Sequence, residues 1–232
     1  MLTLQVFAPA MGQKSPSPFS MKAIALMQMS GLDYKLKPSD PRKGPKQKLP
    51  VLIDGEKIIP DSTHILAHLK SVHGVDLDKD LDKEQLAIAE AFRRMVEEHL
   101  YWVLVHSRWI ENGDKIRDGF FASVPAIMRK FVFNMIVKKV KANLYSQGMG
   151  RHTPAEIYAF GAADLQAMSD YLGDKGFFFG DEPTSIDATL FGMLDCIVMP
   201  SLETALKRSA LTYENLIAHH QRLGAYIKID EA

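Results

Sequence analysis

The chain is predicted to be an α+β protein in which a small mixed domain comes first and an all-helical domain follows. Strand patterns, made of short apolar runs bounded by turn residues, are confined to about the first 60 residues. From about Leu81 onward they give way to long segments with apolar residues at helical spacing. We therefore expect two domains, residues 1–75 and 80–232, joined by a linker near residues 73–79.

The composition fits a soluble protein of this size. The 232 residues are 47% hydrophobic, enough for one large core or two modest ones. Lysine plus arginine and aspartate plus glutamate number 28 each, so the zero net charge gives no field that favours nucleic acid. A lone cysteine, Cys196, excludes an internal disulfide framework. We expect a cytoplasmic protein, because no apolar run approaches the roughly 20 residues that span a bilayer.

The first half of the mixed domain is predicted to be strand, helix, strand. Residues 3–7 have the pattern of a strand, and a loop rich in proline, glycine and serine follows. Pro18 suits the first turn of a helix that Gly31 ends. A second strand is expected at residues 34–37, and the three prolines within residues 38–48 exclude a long helix there.

Residues 49–63 carry the densest signal of this domain. Leu49 and Pro50 open an apolar strand, and a second short strand leads into Asp61 and Ser62 at a helix start. Pro50 lacks a backbone donor, so an extended ligand could pair with Leu49, and the bond between them is a candidate for the cis form. Asp61 and Ser62 would offer a carboxylate, a hydroxyl and free N–H groups to a ligand with an ammonium and a carboxylate. A strand start and a plain helix cap are equally good explanations of each part alone.

Two long helices dominate the prediction for the second domain. One spans residues 81–110, and the other spans residues 124–145 with five basic residues among its apolar ones. The second could lie on a membrane surface, but we expect a buried core helix, because its apolar positions wrap too widely for a flat interfacial face. Further on, Thr184 and Asp187 have the spacing of a capping pair that starts a buried helix.

These motifs, in this order and about 120 residues apart, resemble those of the glutathione transferase superfamily. The order β-α-β, loop, β-β-α resembles its thioredoxin-like domain, and the Gly-Asp turn before Thr184 and Asp187 resembles the capping box of its helical domain. Residues 17–20, 148–157 and 164–165 resemble the failed-axon-connections and metaxin branch, some of whose members act in membrane import or protein interaction. The resemblance therefore implies either a glutathione-dependent transferase or peroxidase, which conjugates or reduces an electrophile, or a non-catalytic glutathione-binding or interaction module.

The resemblance also implies a glutathione site. In this family a cis-Pro loop and an acidic residue followed by serine bind glutathione, which is the co-substrate. On this chain those positions are Leu49 with Pro50 and Asp61 with Ser62. Lys48 either adds a charge for the glycyl carboxylate or is an ordinary loop lysine.

Ser17 is the predicted catalytic residue and is also expected to contact glutathione. The thiol of glutathione is mostly protonated at neutral pH, and a hydroxyl at the positive N-terminus of the helix starting at Pro18 would favour the thiolate. Related branches carry cysteine at this position and form mixed disulfides, so serine at positions 17 and 20 argues against that exchange. Ser15 is a rival for the same role, although only Ser17 adjoins the helix start.

A small hydrophobic electrophile is expected to bind in the cleft between the domains, beside the first loop and the long helix. The candidate cleft residues on this helix are Tyr101, Trp102, Arg108 and Trp109. Their aromatic rings would take an apolar substrate, and Arg108 would hold an anionic one, although aromatic residues at helical spacing also suit a core. Met11 and Phe121 are weaker candidates. The sequence does not identify the electrophile.

Metal and nucleotide sites are not expected. His64 and His68 stand four residues apart, a spacing that can bind metal, but no third ligand is spaced to join them. The Gly-Met-Gly run at residues 148–150 lacks the rest of a dinucleotide fingerprint. The resemblance further implies a two-fold homodimer. The zero net charge and the pattern of the helices predict no nucleic-acid partner and no membrane association.

Overall fold

A four-stranded sheet with helices forms the N-terminal part of the computed structural model, which describes residues 1–121 and 124–229. In chain order its elements are β1 (Leu2–Val6), α1 (Pro18–Ser30), β2 (Tyr34–Pro38), β3 (Val51–Asp54), β4 (Lys57–Pro60) and α2 (Ser62–His73). The strand order is β2-β1-β3-β4, in which only β1 and β2 are parallel. This confirms the predicted thioredoxin-like order.

The bounds of α1 follow from its two ends. Ser17 caps the N-terminus, Pro18 occupies the first turn, and Gly31 ends the helix in the left-handed conformation with φ of 67°. A proline needs no backbone donor in the first turn, and glycine adopts positive φ without a steric cost. The predicted helix is therefore confirmed at both ends, whereas β1 begins and ends one residue earlier than the apolar pattern indicated.

The rest of the described chain is helical, which confirms the predicted fold class. Its elements are α3 (Lys83–Arg94), α4 (Tyr101–Val105), α5 (Gly113–Phe120), α6 (Ala126–Gln147), α7 (Pro154–Leu172), α8 (Ser185–Val198), α9 (Ala205–Leu211) and α10 (Glu214–Tyr226). Two π-helical segments, Met95–Leu100 and His106–Glu111, continue α3 and α4, so one helical rod extends from residue 83 to residue 111.

Helices α1 and α8 form the centre of the molecule. Nine residues of α1 and twelve residues of α8 are buried, and most of them belong to one hydrophobic cluster that also includes residues of the sheet. A side chain at Gly192 of α8 would place its Cβ 2.4 Å from the carbonyl oxygen of Pro18 and 2.7 Å from the amide nitrogen of Lys22. Contact at this distance leaves no room for a methyl group, so glycine at position 192 allows the two backbones to touch.

A buried ion pair also fixes α1. The Lys22 Nζ lies 2.6 Å from Glu97 Oε1, and Arg93 donates to the other carboxylate oxygen at 2.6 Å. Burial lowers the pKa of Lys22, and the Glu97 carboxylate opposes that shift. Removing one partner of a buried pair costs about 3–5 kcal/mol because the other charge is left uncompensated. The pair therefore ties α1 to the long helical rod.

The capping pair predicted at Thr184 and Asp187 is present at the start of α8. The backbone N–H and the hydroxyl of Thr184 both donate to Asp187 Oδ2, at 2.8 and 2.9 Å. Asp187 Oδ1 accepts from the Phe178 N–H at 2.8 Å and lies 2.8 Å from His219 Nε2. Because this carboxylate is fully buried, all four contacts organise the fold rather than any chemistry.

Helix α6 is not the buried core helix that the sequence predicted. Ile127 and Phe131 are 92% and 71% exposed, whereas Phe133 and Leu144 are buried. The apolar residues encircle the helix, but α6 packs mainly against α5 and the neighbouring helical segments, so most of them stay in solvent. No helix in the described part of the chain is both long enough and apolar enough to cross a bilayer.

The contact at Gly192 gives a test of the α1–α8 packing. Gly192→Ala is expected to lower the free energy of unfolding by about 3 kcal/mol or more, because the new methyl group meets rigid backbone rather than flexible side chains. The matched control is Gly224→Ala in α10, where the new Cβ would meet its nearest atom at 3.5 Å. That control should be neutral or stabilising by up to about 1 kcal/mol. Urea denaturation measures both, and equal effects would contradict the packing argument.

Candidate functional site

Three connecting segments meet at one edge of the sheet. β1 ends at this edge, and β3 begins there because Val51 pairs with Gln5. β4 ends at the same edge because Pro60 pairs with Val51. The topology therefore gathers the loop before α1, the segment at Pro50 and the start of α2.

The Pro50 segment is joined directly to the start of α2. The Leu49–Pro50 peptide bond is cis, as the sequence suggested, and both residues are buried. The backbone N–H of Asp61 donates to the carbonyl oxygen of Pro50 at 3.1 Å. Lys48 is exposed and precedes the strand pairs, which begin at Val51. The predicted residues Lys48, Leu49, Pro50 and Asp61 thus lie in one connected group.

Asp61 has an unusual backbone conformation at the N-cap of α2. Its φ is 85°, in a region that residues with a side chain rarely adopt, and its Oδ1 accepts from the Thr63 N–H at 2.9 Å. Such conformations cost about 1–3 kcal/mol and are concentrated at binding sites. Asp61 is exposed, whereas Ser62 retains only 2% of its surface. The Asp61 carboxylate is therefore the accessible charged group at this helix end.

The two candidate serines of the first loop differ in accessibility. Ser17 is partly exposed at the N-cap of α1, where its Oγ accepts from the Ser20 N–H at 3.4 Å. Ser15 is fully buried, and its Oγ has no hydrogen-bond partner within the described residues. A group arriving from solvent can therefore approach the Ser17 hydroxyl but not the Ser15 hydroxyl without a rearrangement of the loop.

Gln13 fastens the first loop to α8. Its Nε2 donates to Asp195 Oδ2 at 2.6 Å and lies 3.4 Å from the Cys196 sulfur. Asp195 Oδ1 in turn lies 3.2 Å from His220 Nε2. All four residues are buried, so the loop that leads to Ser17 rests on a polar network inside the protein.

The expectation that Arg108 holds an anionic substrate is corrected by the structure. Arg108 is only 4% exposed, and its guanidinium donates to the carbonyl oxygens of Pro16, at 2.7 Å, and Cys196. These two terminal nitrogens are engaged within the protein, whereas Nε is buried and has no hydrogen-bond partner among the described residues. Because Pro16 directly precedes Ser17, Arg108 instead positions the first loop. Its burial depends on how the long rod packs on α8, which the local sequence does not reveal.

Tyr101 and Trp102 lie together beside the start of α1. The Tyr101 ring is 4.9 Å from the Phe19 ring and 5.4 Å from the Trp102 ring, and all three residues are partly exposed. Burial of its hydroxyl raises the pKa of Tyr101, so the hydroxyl stays protonated and can donate a hydrogen bond. Phe19 was not among the predicted residues, although its place just after Pro18 was a usable signal.

Trp109 belongs to a second aromatic group, against which Met11 of the first loop packs. Its ring stacks on those of Phe120 and Phe133, at centroid distances of 5.9 and 6.2 Å. Phe121 lies 6.4 Å from the Trp109 ring, and Met11 packs against the same group. The weaker candidates Met11 and Phe121 thus lie with Trp109. Phe120 and Phe133 were missed, although the Phe120-Phe121 doublet was a visible signal.

Cys196 is unsuited to nucleophilic chemistry. It lies fully inside the protein, and burial raises the pKa of its thiol to about 11. The thiolate is the reactive form, so at neutral pH this cysteine is inert.

The histidines of α2 are grouped differently from the sequence expectation. His64 is exposed and does not join His68. Instead His68 and His73 both lie 2.9 Å from Asp54 Oδ2. These histidines are spaced i, i+5 along the helix, and the carboxylate comes from the end of β3, so spacing within α2 alone did not reveal the group.

A cavity of about 740 Å³ lies apart from the sheet edge described above. The linker after α2 and the turn before α8 form its walls, with side chains that include Leu77, Leu81, Phe179 and Pro183. None of the predicted site residues lines it. The opposite ends of α2 therefore carry different features, the Asp61 group at the N-terminus and this cavity near the C-terminus.

Family models match two parts of the chain. The glutathione S-transferase N-terminal domain model matches residues 18–115, and the glutathione S-transferase C-terminal domain model matches residues 161–223. The first match runs from the start of α1 through the long helical rod and into α5. The second match runs from within α7 into α10 and includes the capping box at the start of α8.

The curated relatives include a protein named as a glutathione S-transferase and proteins that are not named as enzymes. The isoprene-epoxide glutathione S-transferase of Rhodococcus sp. (strain AD45) is 31% identical over 96% of this chain and 98% of its own length. Failed axon connections of Drosophila melanogaster is 31% identical over 90% of this chain and 54% of its own length. Metaxin-1 of Macaca fascicularis is 28% identical over 86% of this chain and 67% of its own length.

The fold agrees with solved structures. The glutathione S-transferase CsGST63524 of Ceriporiopsis subvermispora, solved in complex with glutathione, aligns with a TM-score of 0.66 and 17% identity. The alignment covers all of this chain and 98% of that one. At this identity the match establishes the shared architecture and leaves the site to be argued from its own residues.

Proposed function

Because the chain belongs to the glutathione S-transferase superfamily, we propose that it is a transferase that joins glutathione to a small hydrophobic electrophile. The observation that carries this proposal is the meeting of Ser17, the Pro50 segment and the exposed Asp61 carboxylate at one sheet edge. Each element offers a different group of glutathione a complementary partner.

Glutathione would lie along the Pro50 segment. Its peptide backbone would pair with the main chain of Leu49, outside the ladder that begins at Val51. Its γ-glutamyl ammonium would contact the Asp61 carboxylate, and its α-carboxylate would receive the free N–H groups of the first turn of α2. Ser62 would contribute mainly from the backbone because its side chain is nearly covered. The exposed Lys48 would meet the glycyl carboxylate.

Ser17 is the group that would favour the thiolate. Its hydroxyl can donate to the sulfur while the N-terminus of α1 supplies positive potential, and its accessibility supports it over buried Ser15. The thiol proton passes to solvent, and the glutathione thiolate remains. The sulfur then attacks an electrophilic carbon, a C–S bond forms, and the bond to the leaving atom breaks with its electron pair.

A small epoxide is the electrophile class that we propose. The relative from Rhodococcus, whose name includes isoprene epoxide, supports this choice. Ring opening breaks a C–O bond and leaves an alkoxide, to which the protonated Tyr101 hydroxyl would donate. The rings of Phe19, Tyr101 and Trp102, together with Trp109, which packs in one cluster with Met11 of the first loop, would offer apolar contacts to the substrate.

A glutathione-binding or interaction module without turnover is the second candidate. The similarity to Failed axon connections and metaxin-1 favours it, as does the exposed apolar surface of α6 that includes Ile127, Met128, Phe131 and Met135. An apolar surface of this kind commonly marks a contact with another molecule. Binding of glutathione without turnover of any epoxide would favour this candidate over the enzyme.

The first test is binding. Calorimetric titration of the protein with glutathione should give a saturable signal at millimolar concentration or below. Asp61→Asn should weaken binding by roughly 1–3 kcal/mol, since it removes the charge that faces the ammonium. Asp174→Asn, at an exposed carboxylate in the turn after α7, is the control and should bind like the wild type. Absence of heat and of any thermal shift in the wild type would exclude the proposal.

The second test separates catalysis from binding. Ser17→Ala should leave glutathione affinity nearly unchanged, raise the pKa of the bound thiol, and lower turnover of a model epoxide at least severalfold, because the donor acts mainly on the anion. Ser15→Ala is the matched control and should retain turnover. The ultraviolet absorbance of the thiolate against pH, together with initial rates, measures both effects. Loss of turnover in Ser15→Ala alone would transfer the role to that residue.

A homodimer is proposed from the family to which the chain belongs. Light scattering at micromolar concentration should then give twice the 26.0 kDa mass of the chain. The mass of a single chain under these conditions would contradict this proposal without affecting the one for glutathione.

A further inference from the structure

Asp54, His68 and His73 form a cluster of metal-ligating side chains outside the proposed glutathione site. Both imidazole Nε2 atoms lie 2.9 Å from the same carboxylate oxygen, Asp54 Oδ2. All three ligand atoms lie within 4.8 Å of one another. Both imidazole nitrogens and the carboxylate oxygen could therefore coordinate one cation.

The fold holds these groups in place from two elements. Asp54 ends β3 at the turn into β4, while His68 and His73 lie on the last two turns of α2. The His68 side chain is 9% exposed, and those of Asp54 and His73 are each 24% exposed. Partial burial limits the freedom of the ligands, and the exposed side leaves a path for an ion and for water.

The local electrostatics favour a cation. The negative end of a helix dipole lies at its C-terminus, where His73 is the last residue of α2 before the Gly74 cap. Asp54 supplies a carboxylate oxygen to which both histidine rings are hydrogen-bonded. Lys70, the lysine in the last turn of α2, is paired with Asp76 at 2.8 Å, so its charge is partly compensated.

We propose that Asp54, His68 and His73 bind a divalent transition metal ion of the zinc type. Two imidazole nitrogens and one carboxylate oxygen form a ligand set typical of zinc, with water in the remaining position. At metal–ligand distances of about 2.0–2.1 Å, a tetrahedral ion separates its ligands by about 3.3 Å. Each histidine–carboxylate contact of 2.9 Å would open by a few tenths of an ångström, and the three ligand atoms, which all lie within 4.8 Å of one another, would arrange around the ion.

The position of this site indicates a structural or regulatory role. Helix α2 has 12 residues, so at about 1.5 Å per residue its C-terminal end lies roughly 17 Å from the Asp61 end. An ion there cannot touch glutathione bound at the other end. It would instead clamp the β3–β4 turn to the end of α2 and stabilise the folded state, because unfolding separates the ligands.

The experiment is zinc titration of the untagged full-length chain by calorimetry, with cobalt absorbance as a second probe. We expect one zinc ion per chain and a rise in melting temperature that a chelator reverses. His68→Gln and His73→Gln should each weaken zinc binding more than about 100-fold, since loss of even an outer-shell partner costs about 10- to 100-fold. A glutamine amide can still donate to Asp54, so these variants should remain folded, and melting in chelator checks this.

His64→Gln is the matched control, because His64 is an exposed histidine on the same helix outside the cluster. It should bind zinc like the wild type. Asp54→Asn provides an independent ligand variant and should also bind more weakly. Absence of zinc binding by the wild type at micromolar concentration would overturn the proposal. It would also be overturned if His68→Gln, His73→Gln and Asp54→Asn all bound zinc as tightly as the wild type. Neither result would affect the proposal for glutathione.

Discussion

The direct contact between the backbones of α1 and α8 is the constraint on which the rest of the structure depends. It exists because position 192 carries no side chain, and it lies at Pro18 and Lys22, within the first two turns of α1. A shift of α8 would therefore move the N-terminus of α1, and with it the Ser17 hydroxyl. The same helix carries Lys22 into the protein, where the carboxylate of Glu97 compensates its charge. The close packing at Gly192 and the buried Lys22–Glu97 ion pair thus both fix the position of α1.

The candidate site consequently depends on residues far from it in sequence. Arg108 holds the carbonyl oxygen of Pro16, and Gln13 is held by Asp195 of α8. These contacts join the loop before α1 to the helical part of the chain, while the Asp61 N–H joins the Pro50 segment to α2. The sheet gathers the groups at one edge, and the helices determine where within that edge the Ser17 hydroxyl lies.

Much of the fold and part of the site could be predicted because their signals are local. Pro18, Gly31 and the pair Thr184 and Asp187 each act through the geometry of neighbouring backbone, and a short sequence contains that information. The burial of Arg108, the exposure of α6 and the grouping of His73 with Asp54 could not be predicted in this way. Each depends on which faces meet after distant elements pack, and periodicity does not encode the partner of a face.

The burial of Cys196 has a consequence for chemical durability. A protein proposed to handle electrophiles is itself exposed to alkylation, and a thiolate would be its most vulnerable group. With a thiol pKa of about 11, only about one Cys196 in ten thousand is ionised at neutral pH. The surrounding Gln13 and α8 also exclude solvent from the sulfur. The chain's single cysteine would therefore react far more slowly than a bound glutathione thiolate with the same electrophiles.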